Sequence, residues 1–167
     1  MVVLVGEQPG DQEDIQGHPF VGPAGRLLDK ALKEAGISRN QVYVTNAVKH
    51  FKWEPQGKRR KHQRPSAAEM AACRPWLAAE LRLIHPKILV CLGATAAQSI
   101  FGRPVRLGDL RGSFSKTDWS SNTFVTIHPS AVLRQPDRRR QEEELTRLIA
   151  DLRLVRRKLS QDGSAAS

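Results

Sequence analysis

Four short apolar runs, at residues 2–5, 42–44, 88–92 and 123–127, constrain this chain more than any other feature. Each is too short for a helix and rich in β-branched residues, so each reads as a buried strand. Stretches of helical period separate them. Leu27, Leu28, Ala31, Leu32 and Ala35 recur at helical spacing behind Gly22-Pro23, and Gly36 supplies the stop. Ser66 with Glu69 makes a capping box ahead of a long helix that ends near His85-Pro86. Residues 94–101 read as a short helix. The last helix spans 138–158, with Leu145, Leu148, Ile149, Leu152 and Val155 on one face. Strands alternating with helices predict an α/β domain: a three-layer α/β/α sandwich with a central, mostly parallel four-stranded sheet. That domain takes residues 1–158, and 159–167 are expected to form a disordered tail. Residues 49–64 have no clean period, and 105–121 read as loop with irregular strands.

The charge narrows the partners. The 167 residues carry 27 Lys and Arg against 17 Asp and Glu, a net charge of +10, with a pI near 10.3. A polyanion, most simply nucleic acid, is the partner such a balance attracts. No apolar run approaches the ~18 residues of a membrane span. No secretory signal precedes the first strand, so the expected location is the cytoplasm. Cys73 and Cys91 could form at most one bridge, and Cys91, inside an apolar run, reads as inert packing. A secreted disulfide scaffold, a coiled coil and a membrane protein are excluded.

Parallel sheets bind ligands at the carboxyl ends of their strands. That rule brings Gly6-Glu7-Gln8, Thr45-Asn46, Gly93-Ala94 and His128-Pro129-Ser130 to one rim. Glu7 is a carboxylate able to stabilise positive charge or orient a nucleophile. Asn46 offers an acceptor and a donor side by side, which fits a nucleobase edge, or it caps a turn. Phe20 is either a core plug or a platform for a flat ligand. His128 could donate a hydrogen bond to an anion on a leaving group. The run Lys58, Arg59, Arg60, Lys61, His62, Gln63, Arg64 reads as a phosphate clamp that also presents His62. The like charges around His62 are expected to keep its imidazole neutral and therefore nucleophilic. Arg134 and residues 138–140 add a second basic patch. Asp11-Gln12-Glu13-Asp14 reads as a solvated acidic face rather than a magnesium site.

These residues, in order, resemble the uracil-DNA glycosylase superfamily, in its family 4-like iron–sulfur branch and closest to the UdgX group. Glu7 lies in GEQPGDQED, Phe20 in HPFVGPAGRLLD, Asn46 in VYVTNAVKHFK, His62 in GKRRKHQRPS, Cys73 in ACRPWL and His128 in IHPS. The resemblance implies an N-glycosyl hydrolase that flips uracil out of DNA, with single-stranded DNA preferred, and acts as a monomer. It implies that Gly6, Phe20, Asn46 and His128 bind uracil. It further implies that His62 captures the sugar C1′ as a stable protein–DNA adduct in a single turnover. Glu7 and Gln8 would orient that histidine or stabilise the oxocarbenium ion, and Arg60 would support the loop. Lys58, Arg59, Arg60, Lys61, Arg64, Ser130 and Arg134 would contact DNA. The group's loop usually reads KRRIH, whereas here Lys61 takes the apolar position. The branch also implies a [4Fe-4S] cluster. The matching ligand candidates are Cys73 and His50, a position that is Cys in ordinary family 4 enzymes. The family's upstream Cys pair has no counterpart in these residues, which leaves the cluster half of its protein ligands. A turnover glycosylase using water, and a non-catalytic module for single-stranded or damaged DNA, are the alternatives.

Overall fold

The computed structural model describes residues 1–164. In chain order the elements are β1 (Val2–Gly6), α1 (Asp11–Gln16), α2 (Pro23–Ala35), β2 (Val42–Asn46), β3 (Trp53–Gln56), β4 (Arg59–His62), α3 (Ala67–Ile84), β5 (Ile88–Leu92), α4 (Ala94–Phe101), α5 (Leu107–Leu110), β6 (Phe114–Ser115), β7 (Thr123–Thr126), α6 (Pro129–Leu133) and α7 (Arg138–Ser164). The main sheet runs β2-β1-β5-β7-β6. Its first four strands are parallel, and β6 pairs antiparallel with β7. The sheet therefore has five strands rather than four. The fifth is a two-residue edge strand in the segment read as irregular.

Alternation along each strand splits the apolar side chains between two cores. On one face Val2, Leu4, Ile88 and Val90 pack against Leu28 and Leu32 of α2 and Leu148 and Leu152 of α7. On the other, Val3, Val5, Leu89 and Cys91 meet Leu77 and Leu81 of α3 and Ala97 and Ile100 of α4. This is the three-layer sandwich, and each buried Leu contributes about 2 kcal/mol of transfer free energy. Cys91 is fully buried, and burial pushes its thiol up out of the reactive range. The capping box at Ser66 forms in both directions, with Glu69 Oε2 accepting from Ser66 N at 2.6 Å. Among the described residues no helix is long and apolar enough to cross a membrane.

Two further expectations are corrected. The last helix does not stop at 158 but continues through Ser164, so 159–164 are helical; residues 165–167 lie outside the described residues. Residues 53–62 are not an irregular loop but a separate two-stranded hairpin, β3 with β4. Gly57, in the left-handed region at φ 60°, makes its turn.

The strand order fixes where a ligand can bind. From β1 the chain moves outward to β2 and then returns across β1 to β5. The crevice at the carboxyl ends of β1 and β5 is thus the switch point of the sheet.

Candidate active site

That crevice opens into a cavity of about 420 Å³ lined by Glu7, Gln8, Phe20, Asn46, His62 and His128, among others. Four elements meet there. Glu7 and Gln8 follow β1, Asn46 closes β2, His128 is the N-cap of α6, and His62 ends β4 of the hairpin.

Gly6 and Asn46 are register partners in the β1–β2 ladder. A Cβ on Gly6 would lie 2.5 Å from Asn46 Oδ1 and 2.6 Å from Phe20 Cζ, so only glycine lets both side chains close over the strand. Asn46 is 5 % exposed, and its Oδ1 has no hydrogen-bond partner. A buried acceptor left unpaired costs free energy, so this atom is set for a donor from outside the protein. Phe20 resolves into both of its readings. It packs against the first core and also lines the cavity, with its ring centroid 5.7 Å from that of His128. Its backbone is left-handed at φ 57°, and its carbonyl would lie 1.7 Å from a Cβ on Gly25. Gly25 is therefore what lets the Phe20 loop cross the first turn of α2.

His128 is held as one tautomer. Its Nδ1 accepts Ser130 N–H at 3.1 Å and stands 2.8 Å from Ser130 Oγ, which in turn accepts from Arg134 Nη1 at 2.9 Å. The ring proton is thereby placed on Nε2. Burial pulls the imidazole down to about 4; Glu7 opposes this and Arg134 adds to it. His128 is therefore a neutral donor at pH 7. The unfolded histidine titrates near 6.5, so between about 4 and 6.5 the unfolded chain binds more protons and stability rises with pH. A His128→Asn variant keeps an acceptor for Ser130 N–H but does not titrate. Its urea midpoint is expected to fall less than that of the wild type between pH 6.5 and 4. Parallel pH curves for the two proteins would contradict the assignment.

The hairpin brings His62 to the cavity. Gln8, 7 % exposed, donates from Nε2 to Lys52 O (3.2 Å) and Gln63 O (3.1 Å) and accepts Lys52 N–H (3.3 Å). One amide thus ties both roots of the hairpin to the end of β1. Arg60 ties its middle to α1, with Nε on Asp11 Oδ1 and Nη1 on Asp14 Oδ2, each at 2.6 Å. Its guanidinium also lies over the rings of Phe51 and Trp53. The acidic run is therefore more than a solvated face, because Asp11 and Asp14 also latch the hairpin. An Arg60→Ala variant is expected to show faster amide exchange across 53–62 with exchange in β1 and β5 unchanged. Unchanged hairpin protection would contradict the latch.

Strand alternation sends His62 and Arg60 to one face of β4 and Lys61 to the other, where Lys61 Nζ lies 3.9 Å from Glu54 of the facing strand. Lys61 thus sits on the outer face, away from the imidazole. His62 meets an acidic partner across the cavity wall: His62 Nε2 is 3.2 Å from Glu7 Oε1, with the imidazole about half exposed. Lys58, Arg59, Lys61 and Arg64 are exposed on and beside the hairpin, while Ser130 and Arg134 line the cavity. Burial works to raise the Glu7 carboxyl, but hydrogen bonds from His62 and Thr95 and the fields of His62 and His128 outweigh it and hold it below the ordinary glutamate value. Thr95, whose hydroxyl donates to Glu7 Oε2, was invisible in the sequence, where it reads as filler in an alanine-rich helix.

Residues 1–153 match the model of the uracil DNA glycosylase superfamily. The chain belongs to that superfamily. It is 39 % identical over 153 residues to a type-4 uracil-DNA glycosylase of Thermotoga maritima, covering 90 % of this chain and 72 % of that one. It is 35 % identical to the type-4 uracil-DNA glycosylases of Sulfurisphaera tokodaii (96 % of this chain, 74 % of that one) and Archaeoglobus fulgidus (90 % and 76 %).

The cluster implied by the iron–sulfur branch can be tested against the donors present. His50 Nδ1 and Cys73 Sγ stand 3.7 Å apart, and Lys49 N–H points at the same sulfur at 3.4 Å. A [4Fe-4S] cluster takes four protein ligands. Among the described residues no group of three or more His, Cys, Asp or Glu is placed to hold a metal ion. These donors alone do not fit the cluster, and no chemical step is routed through it.

Proposed function

We propose that this chain excises uracil from DNA and then retains the DNA through a bond between His62 and C1′, as in the UdgX group. The observation that supports this most is the 3.2 Å approach of His62 Nε2 to Glu7 Oε1 at the cavity wall. A nucleophile and a carboxylate from different elements meet beside a pocket with an unpaired base-reading acceptor. The type-4 names of the relatives support the excision half of the reading.

A 2′-deoxyuridine flips into the cavity and its base lies against Phe20. Uracil N3–H satisfies Asn46 Oδ1. The glycosidic bond breaks with its electron pair going to uracil, and His128 Nε2–H donates to the resulting anion. The Glu7 carboxylate faces the positive charge left on the sugar. A ring-nitrogen lone pair of His62 then bonds to C1′, the remaining imidazole proton leaves through Glu7, and uracil takes up a proton. A neighbouring imidazole outcompetes water because its effective concentration is far higher. Lys58, Arg59, Lys61, Arg64 and Arg134 neutralise phosphates. Single-stranded DNA is preferred because flipping costs least there. The chain works as a monomer in the cytoplasm.

Mass spectrometry after incubation with a uracil-containing oligonucleotide, followed by protease and nuclease digestion, tests the reading. The peptide containing His62 is expected to carry deoxyribose phosphate, and the same modification on another residue would displace His62 from its role.

A further inference from the structure

The proposed reaction uses one oxygen of Glu7, and the structure also accounts for the other. Oε1 faces His62, and Oε2 accepts the hydroxyl of Thr95. Thr95 is the second residue of α4 and is 3 % exposed. Its hydroxyl does not cap the helix, whose N-cap is Gly93 with no side-chain cap bond. A buried hydroxyl without a partner costs free energy, and alanine would serve the helix better. The contact also bridges β1 and β5 at the switch point of the sheet, where the following loop and helix diverge.

We propose that Thr95 is a positioning residue for glycosidic bond cleavage, which locks the Glu7 carboxylate so that its free oxygen meets His62 and the sugar. The proposal rests on the reading of Glu7 as the carboxylate of the reacting site. A carboxylate with both oxygens directed has no rotational freedom about its last torsion, and its charge is fixed before substrate arrives. The groups around it are His62 from β4, His128 from the start of α6 and Thr95 from α4, with Glu13 and Arg134 lining the same cavity. Of these only Thr95 touches the carboxylate without titrating, so its removal changes the carboxylate without adding or removing a charge.

The test is the single-turnover rate of free uracil release, a readout independent of whether DNA is captured. It is measured against pH for the wild type, Thr95→Val, Thr95→Ser, Glu7→Gln and the Glu7→Gln/Thr95→Val double variant. Thr95→Val is expected to lose about tenfold or more in rate, as suits a lost hydrogen bond to a charged group, with DNA affinity little changed. Its acidic limb is expected to move up by roughly one pH unit. Thr95→Ser is expected to restore most of the rate. In the Glu7→Gln background the valine substitution is expected to cost less than about threefold, because the effect runs through Glu7. A wild-type rate and pH profile in Thr95→Val, or the same fold-loss with and without Glu7, would overturn the proposal. Should the valine variant fail to fold, Thr95→Ala replaces it under the same criteria. A wild-type rate in Glu7→Gln would instead remove the reading of Glu7 on which the proposal stands.

Discussion

The His62→Ala variant is expected to form no denaturation-resistant complex with uracil-containing DNA, while it still releases uracil. The two outcomes separate because the groups that break the bond differ from the group that keeps the sugar. In the proposed reaction Asn46, Phe20 and His128 hold and polarise the base, and they reach the cavity from β2, the loop before α2 and the start of α6. None of them depends on the His62 imidazole for its place. The hairpin is anchored by Gln8 and by Arg60 on α1, so truncating His62 leaves its backbone where it was. Water then takes the position of the imidazole beside Glu7, and the product is an alkali-labile abasic site. The rate of uracil release is expected to stay within about tenfold of the wild type, since capture follows bond breaking. A stable complex in His62→Ala would assign the nucleophile elsewhere.

The second large effect concerns Asn46. An Asn46→Asp variant is expected to lose uracil excision by about 100-fold or more, a cost of roughly 3 kcal/mol that matches mispairing a buried polar group against its ligand. Asn46 is buried with an orphaned Oδ1, so the pocket is already desolvated where the base edge arrives. Replacing the amide NH₂ by a second oxygen removes the donor that uracil O4 needs and sets lone pairs against it. Cytosine presents an amino group there, so the ratio of cytosine to uracil excision is expected to rise. Uracil excision at the wild-type rate in Asn46→Asp, with unchanged base preference, would show that Asn46 only ends its strand.

How much of this was legible in the sequence depends on what holds each part in place. The strands β1, β5 and β7 declare themselves because they are buried on both faces, β2 is buried except at Tyr43, and α4 falls on residues 94–101 as its flanking glycines suggest. The rim residues followed from the rule that parallel strands deliver their next side chains to one edge. The hairpin did not show, because β3 and β4 are almost entirely exposed, β4 is a run of basic residues, and neither has apolar alternation. What stabilises it is long-range: Arg60 reaches Asp11 and Asp14, and Gln8 reaches Lys52 and Gln63. The same hidden topology gives His62 a partner that its neighbours in the sequence do not announce. Its sequence neighbours are cations, but its partner in space is Glu7. Thr95 was illegible for a related reason, since its meaning depends on a contact 88 residues away.

Whether the DNA stays bonded to the protein is read on a denaturing gel. The protein is mixed with labelled single-stranded DNA containing one uracil, then heated in detergent. A shifted band is expected that survives this treatment and is absent with thymine in place of uracil. Free uracil with strand cleavage after alkali, and no shifted band, would contradict capture and make the chain a turnover glycosylase.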